Sequence, residues 1–261
     1  MGGYRHYVRF PQGKKKVFTI SYDDGNIADL KMIDIMNKYG ILGTFNLNMS
    51  KFPEDITKYE GHEIACHGYE HKFWGIENAP DTMMDIIRDR FEMEKATGKI
   101  IRGMAYPYGV YDSWTLDLLK NSGLVYGRTI KSTHDFSVPS DWMQLHPTCH
   151  HNDKELMKLA DKFINENVEK KCRMFYVWGH SYEFVKDNNF ELFENLCKTI
   201  GGRSDIWYAT NIQIFDYLNA YNRLIWSVDN TMVHNPTALT VYFSINFKDE
   251  YNIKPGETIR I

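Results

Sequence analysis

Acidic and histidine residues follow several short apolar runs of the chain, at points where strands of a parallel sheet would end. An imidazole pair four residues apart on a helical turn would place both rings on one face, as a tetrahedral metal requires. The spacing therefore predicts a metal site close to a carboxylate pair. The residues concerned are Asp23, Asp24, His67, His71 and His180.

Two imidazoles and one carboxylate would give a set of three metal ligands. Three protein ligands leave a fourth position for water, which is typical of catalytic rather than structural zinc. At a strand end that turns through Gly25, one aspartate could bind the metal while its neighbour takes a proton from the attacking water. His180 could protonate a leaving group, because the ordinary pKa of imidazole, about 6.5, suits proton transfer at neutral pH.

The elements that would position these residues alternate between strand and helix. This alternation predicts parallel β/α units that close into a barrel or form an open sheet, and in both folds the chemistry lies at the carboxyl ends of the strands. The predicted strands span residues 17–22, 41–47, 62–66, 101–106, 124–128, 174–178 and 206–210, and the predicted helices span 26–39, 83–98, 114–120, 155–168, 190–200 and 212–221.

From residue 224 onward the pattern changes to β-rich runs separated by Asn-Pro and Pro-Gly turns, with no helix between them. We therefore predict a β/α barrel domain over residues 1–222. A small antiparallel β appendage is predicted over residues 223–261.

Composition limits the classes of partner. The chain has 261 residues, of which 43% are hydrophobic, and 31 basic against 34 acidic residues give a net charge of −3. Such a chain can bury a core, but it has no field that would attract nucleic acid or an anionic membrane surface. Neither partner is expected, and no pattern specifies an oligomeric state. The aromatic content of 15% has no explanation in composition alone.

The four cysteines show no C-x-x-C pairing, which predicts free thiols in a reducing compartment. The first ten residues lack the apolar segment of a secretory signal. We therefore expect a cytoplasmic protein.

The motifs, in this order and on these strands, resemble the polysaccharide deacetylase family, also called the NodB-homology domain or carbohydrate esterase family 4. That family has a distorted (β/α)7-type barrel and removes N- or O-linked acetyl groups with a divalent metal, usually zinc. The resemblance covers about residues 14 to 220. It makes Asp23 the catalytic base, Asp24, His67 and His71 the metal ligands, and His180 the general acid.

The third motif, R-x-P-Y-G in the family, is partly present. Pro107-Tyr108-Gly109 matches, and the resemblance makes the backbone N–H of Tyr108 the oxyanion donor. Ala105 stands in the arginine position, so Arg102 is the candidate to orient Asp23.

The fourth motif also departs from the family. Its first aspartate position is Val138, and Asp135 or Glu183 are candidates to replace the carboxylate that accompanies His180. Gly68 replaces the hydroxyl residue of the second motif, which removes a hydrogen bond of the loop but no ligand.

Aromatic and proline residues near the strand ends could contact sugar rings. The candidates for substrate binding are Tyr106, Pro107, Trp142 and Trp178. Three further histidines surround Cys149, but the intervening Pro147 favours a role at the rim over a second metal site. They are His146, His150 and His151.

The resemblance implies a metal-dependent deacetylase acting on an acetylated oligosaccharide or a small acetylated substrate, with Zn²⁺ favoured and Co²⁺ or Ni²⁺ as alternatives. Two other functions stay open. One is a metal-dependent amidase or esterase for a small non-polymeric substrate, and the other is a carbohydrate-binding homologue that has lost catalysis.

Overall fold

A curled, mainly parallel sheet forms the centre of the protein, which is described by a computed structural model covering residues 5–52, 55–74 and 79–261. Its strand order is β6-β5-β4-β3-β2-β8-β7, and β9 pairs with β2. All seven predicted barrel strands are present. The strands are β2 (Lys16–Asp23), β3 (Thr44–Leu47), β4 (Glu63–Cys66), β5 (Gly103–Ala105), β6 (Tyr126–Arg128), β7 (Cys149–His150), β8 (Arg173–His180) and β9 (Ile206–Tyr208).

In the described part of the chain, seven α-helices accompany the sheet, and six of them match the predicted helices. Their apolar faces pack on the sheet, as the 3.6-residue spacing of apolar positions requires. The seventh, α5, has no counterpart among the predicted helices; it is a short helix that begins directly after His180. The helices are α1 (Ala28–Lys38), α2 (Ala79–Thr97), α3 (Ser113–Asn121), α4 (Leu156–Asn165), α5 (Ser181–Lys186), α6 (Phe190–Ile200) and α7 (Asn211–Asn222).

Residues 145–150 connect the two ends of this sheet. Leu145 pairs with Arg128 at the end of β6, and β7 pairs with β8 at the other end of the strand order. One short segment therefore closes the ring, and the predicted distorted (β/α)7-type barrel is confirmed. β7 has no counterpart among the predicted strands, because two residues are too few for a periodic signal.

β2 is an interior strand of the sheet and pairs with three other strands. β8 pairs along its whole length, whereas β9 and β3 share its other edge through residues 16–18 and 21–23. The β2–β8 register places Asp23 beside His180. The β2–β3 register places Asp23 beside Asn46 on its other side. The carboxyl ends of these strands therefore bring titratable side chains together.

The C-terminal residues form two small antiparallel sheets, as the predicted appendage requires. One has the order β10-β11-β14, and the other has the order β1-β12-β13. The second sheet includes a strand near the N-terminus that the sequence analysis did not predict. The bounds are β1 (His6–Arg9), β10 (Ile225–Trp226), β11 (Met232–His234), β12 (Val241–Ile245), β13 (Asp249–Ile253) and β14 (Thr258–Arg260).

The four cysteines are buried free thiols, as predicted. Residues 1–4, which were compared above with a secretory signal, lie outside the described part of the chain. Among the helices that the structure describes, none combines the length and apolarity needed to cross a membrane.

Candidate active site

Asp24, His67 and His71 come together at the carboxyl end of the barrel. The Nε2 atoms of the two imidazoles lie 3.1 Å apart, and Oδ1 of Asp24 lies 3.7 Å from each of them. Ligand atoms about 2.0–2.1 Å from a tetrahedral metal stand about 3.3–3.4 Å from one another. The three side chains therefore have the spacing and the nitrogen and oxygen donors that a divalent transition metal requires.

Neighbouring groups orient these ligand atoms. Nδ1–H of His67 donates to the backbone carbonyl of Ala105 over 2.9 Å, which leaves Nε2 available to bind a metal. The side-chain amide of Asn48 donates to Oδ1 of Asp24 over 3.1 Å. Burial lowers the pKa of His71 to about 4, so its imidazole is neutral and able to bind a metal near neutral pH.

The histidine pair lies on an irregular turn, and the expectation of a helical turn is wrong. Gly68 and His71 have φ of +76° and +54°, in the left-handed region. Asp24 likewise has φ of +75°. Two of the three candidate ligands, Asp24 and His71, thus have a backbone conformation that costs free energy for a non-glycine residue.

Two aspartates of α2 stabilise this turn by accepting hydrogen bonds from its backbone. Asp89 accepts the backbone N–H of His67 over 2.9 Å, and Asp85 accepts the backbone N–H of Glu70 over 2.7 Å. A Cβ atom on Gly68 would lie 2.6 Å from Oδ2 of Asp85. Asp85 therefore stabilises the turn where the family has a hydroxyl residue, and glycine gives it the space.

Asp23 is buried beside the ligand cluster, with 2% of its surface exposed. Its carboxylate contacts the guanidinium of Arg128 and accepts a hydrogen bond from Asn46 over 2.8 Å. Oδ2 of Asp23 also lies 3.6 Å from Nε2 of His67. Burial opposes ionisation, but the charge of Arg128 outweighs it and holds the pKa of Asp23 well below its usual range.

Arg102 does not take the place expected for it. Its guanidinium forms a two-point ion pair with Asp216 on α7, with distances of 2.9 and 2.5 Å. The residue that contacts Asp23 is Arg128, which is fully buried and stacks over the ring of Trp178 at 4.3 Å. Arg128 pairs directly with Ala105 across β5 and β6.

His180 ends β8 and is accompanied by Glu183 rather than by Asp135. Nδ1 of His180 lies 3.2 Å from Oε1 of Glu183, one turn further along α5. Burial alone would lower the pKa of His180. The hydrogen bond to Glu183 and the charge of Asp23 outweigh burial and raise that pKa.

A cavity of about 840 Å³ opens above these groups. Tyr106 and Trp178 line it but are 1% and 8% exposed, and the hydroxyl of Tyr106 is bonded to the carbonyl of Met143. Pro107 is buried and is not among the residues that line the cavity. Trp142 packs edge-on against Phe215, with ring centroids 5.3 Å apart, and is not among the residues that line this cavity.

The exposed rim of the cavity consists of other residues. Tyr108 and Tyr182 are 56% and 38% exposed, and Ile27 and Ile130 are 57% and 47% exposed. Tyr108 has φ of +56° and is the centre of the turn after β5. The aromatic faces available to a ligand are therefore those of the two tyrosines.

Sequence reasoning missed Asn46, Asn48 and Arg128. Each lies at or just beyond the carboxyl end of a predicted strand, which is the signal that could have found them. The first pairs with Asp23 by register and the last with Ala105. Pairing between strands is not visible in a single sequence, so a search confined to local motifs passes over such residues.

The comparisons with known proteins agree with this geometry. The family model for polysaccharide deacetylases matches residues 11–127. Comparison with curated proteins gives no match.

Similar solved structures share the fold. A putative polysaccharide deacetylase from Mycobacterium smegmatis is 18% identical, with a TM-score of 0.61, over 83% of this chain and 94% of that chain. Puue allantoinase is 13% identical, with a TM-score of 0.64, over 78% and 90%. A family 4 carbohydrate esterase from Streptomyces lividans, solved with acetate, is 12% identical, with a TM-score of 0.53, over 74% and 91%.

The family match covers β2 to β5, the first two residues of β6, the three candidate metal ligands and Tyr108, and the similarity of fold extends beyond it. The resemblance to the polysaccharide deacetylase family is thereby confirmed.

Proposed function

We propose that the protein is a metal-dependent hydrolase that removes acetyl groups from an N- or O-acetylated carbohydrate. The observation that carries this proposal is the ligand spacing of Asp24, His67 and His71 beside the ionised Asp23, all lining one cavity. The family match over residues 11–127 supports the same conclusion.

The cofactor we propose is Zn²⁺, with Co²⁺ or Ni²⁺ as alternatives that suit two imidazoles and a carboxylate. When bound, the metal would polarise the acetyl carbonyl and acidify water.

Asp23 acts as the general base in this proposal. Its contact with Arg128 keeps it ionised, and the hydrogen bond from Asn46 fixes its orientation. Because its Oδ2 lies 3.6 Å from Nε2 of a proposed ligand, His67, it faces the position of the attacking water and can take its proton.

Tyr108 and His180 complete the reaction. Tyr108 lies in a left-handed turn that lines the cavity, and we assign to its backbone N–H the role of donor to the oxyanion that forms when water adds to the acetyl carbon. The C–N or C–O bond then breaks, and His180 gives its proton to the departing nitrogen or oxygen. The products are acetate and the free amine or alcohol.

A neutral acetylated sugar suits the cavity, because an uncharged substrate can be recognised without a basic patch. The exposed rings of Tyr108 and Tyr182 are positioned to stack on a sugar. The buried free thiols support the proposed cytoplasmic location, where a soluble oligosaccharide is a more accessible substrate than a wall polymer.

The test is acetate release by protein loaded with Zn²⁺, Co²⁺ or Ni²⁺, on chitooligosaccharides and acetylxylan. Wild type is expected to release acetate, and Asp23→Asn is expected to abolish turnover while the metal content stays at the wild-type level. Undiminished turnover by Asp23→Asn would contradict the assignment of the base.

A second candidate is an amidase or esterase for a small substrate. The exposed apolar side chains of Ile27 and Ile130 at the rim favour it, because they would contact an apolar acyl group rather than a sugar. Hydrolysis of simple amides or esters without release of acetate from either carbohydrate would support this candidate over the first.

A further inference from the structure

Four residues at one side of the cavity, of which His180 lines it, form what we call the His–Glu cluster: Glu183, His150, His151 and His180. Oε1 of Glu183 lies 3.2 Å from Nδ1 of His180. Oε2 lies 3.3 Å from Nε2 of His150 and 2.8 Å from Nε2 of His151. One carboxylate is therefore contacted by three imidazoles, of which that of His150 ends the segment that closes the barrel and that of His151 follows it directly.

The cluster has the spacing of a metal site, since His150, His180 and Glu183 could together hold an ion. The protons of His150 argue against this function. Its Nδ1 accepts the backbone N–H of Asn152 over 3.1 Å, so the neutral ring carries its proton on Nε2, the atom that faces Glu183. A proton on that atom makes it a hydrogen-bond donor rather than a ligand.

His151 is held rigidly. It is 1% exposed, and its ring lies between those of Tyr22 and Phe184, with centroid distances of 5.6 and 4.1 Å. A Cβ atom on Gly179 would lie 1.9 Å from Nδ1 of His151, so only glycine leaves space for this ring beside β8. The side of the cluster away from the cavity is thus fixed by packing.

The charges around His180 come from several elements. Asp23 and Asp24 lie on the β2 side, Glu183 lies on α5, and His150 and His151 lie on the β7 side. Burial lowers the pKa of His150 to about 4 and also lowers the pKa of His151, so both rings are neutral near pH 7. His180, whose pKa is raised by the hydrogen bond to Glu183 and the nearby carboxylates, is then the imidazole of the cluster that most favours the protonated form.

We propose that Glu183 is the positioning residue of His180 and that His150 and His151 hold its carboxylate in place. Nδ1–H of His180 stays bonded to Glu183, and Nε2 is the atom that gives its proton to the leaving group. The inference rests on the proposed function, in which His180 is the acid. Glu183 thereby takes the role of the carboxylate that the family pattern places at residue 138, where this chain has valine.

The kinetic test compares Glu183→Gln with Glu191→Gln, an exposed glutamate of α6 that serves as the matched control. We expect Glu183→Gln to lower kcat about 10- to 100-fold with KM within about twofold. We also expect the alkaline limb of its kcat profile to move to lower pH, because the neutral amide no longer favours protonated His180. A variant with wild-type kcat and an unmoved alkaline limb would overturn the proposal.

A readout that needs no substrate separates this inference from the proposed function. In zinc-loaded protein labelled with ¹⁵N-histidine, we expect the His180 signal to show a protonated, hydrogen-bonded Nδ1 that changes in Glu183→Gln. If that signal is present while wild type releases no acetate, the proposed function fails and the positioning role stands. A His180 signal identical in both proteins overturns the positioning role even if the enzyme is active.

Metal content completes the test. One metal per chain in both wild type and His150→Asn supports a hydrogen-bonded cluster. Two metals in wild type, with one lost in His150→Asn, would make the cluster a metal site and overturn the proposal.

Discussion

Arg128 pairs with Ala105 across neighbouring strands, and its guanidinium reaches the buried carboxylate of Asp23. Ala105 stands in the position where the resemblance expects an arginine. The positive charge is therefore supplied by the adjacent strand, β6, at the same height in the sheet. Side chains from paired positions of a parallel sheet point to the same face, so the exchange preserves a cation beside the carboxylate.

This relationship predicts different effects for two arginines. Arg128→Gln is expected to destabilise the protein by about 3–5 kcal/mol, because it leaves Asp23 as an unpaired buried charge. Turnover is expected to fall at least about tenfold. Arg102→Gln breaks a half-exposed ion pair with Asp216 and is expected to cost less than about 1 kcal/mol with unchanged kcat.

Urea unfolding and acetate release measure both quantities. Arg128→Lys, which keeps the charge but loses the planar fork, provides a folded variant if the glutamine variant fails to fold. Equal losses of kcat in the Arg102 and Arg128 variants would show that the assignment of the two roles is incorrect.

The sequence was sufficient for the barrel because apolar spacing of 2 and 3.6 residues is a local property. It was also sufficient to predict that His67, His71 and Asp24 lie together, since the ends of parallel strands share one edge. It did not reveal the left-handed turn of His71, which depends on hydrogen bonds from α2, far along the chain.

Arg102 and Trp142 lie away from their expected places for a common physical reason. Both residues were judged by their distance along the chain from a motif, whereas their side chains belong to packing with α7, against Asp216 and Phe215. Glu183 was among the candidates for the partner of His180, and α5 places it one helical turn away. Only the folded arrangement distinguishes it from Asp135.

Metal binding should stabilise the folded protein through His71. At a free Zn²⁺ concentration about 100-fold above Kd, we expect about 2.7 kcal/mol of added stability, which calorimetry detects as a rise in Tm reversed by a chelator. His71→Ala is expected to lose most of this rise. His234→Ala, in the β appendage, is the matched control and should retain it. A full zinc-dependent rise in His71→Ala would show that the metal binds elsewhere.

Gly68 allows a test in which the residue typical of the family is restored. Gly68→Ser would introduce a side chain at φ +76° and a Cβ atom 2.6 Å from Oδ2 of Asp85. We expect a loss of stability of about 2–4 kcal/mol from conformation and overpacking together, and weaker metal binding. The control is Gly98→Ser, at φ +66° with nothing within 4 Å of the added atom, for which only the conformational cost of about 1–2 kcal/mol applies.

Thermal unfolding and zinc titration distinguish the two glycine variants. If Gly68→Ser costs no more than Gly98→Ser and binds zinc normally, the turn has space for the hydroxyl residue. The support assigned to Asp85 would then be unnecessary.

We expect the folded protein to lose stability in mild acid because of His62. Its Nδ1 accepts the backbone N–H of Gly43 over 3.1 Å, its Nε2 lies 3.2 Å from Oδ1 of Asn37, and burial lowers its pKa to about 4. The unfolded chain binds a proton near pH 6.5, whereas the folded protein resists it until about pH 4. Stability contributed by neutral His62 is therefore complete above about pH 6.5 and is lost as the pH falls towards 4, by about 3 kcal/mol.

The measurement is the free energy of unfolding of wild type and His62→Gln between pH 7 and 4, both in chelator so that metal release does not contribute. Glutamine can accept from Gly43 but does not titrate. His62→Gln is expected to be less stable than wild type at pH 7, and the difference should shrink or reverse by pH 4. Parallel curves over this range would show that His62 does not carry the acid sensitivity, because the other titrating histidines are common to both proteins.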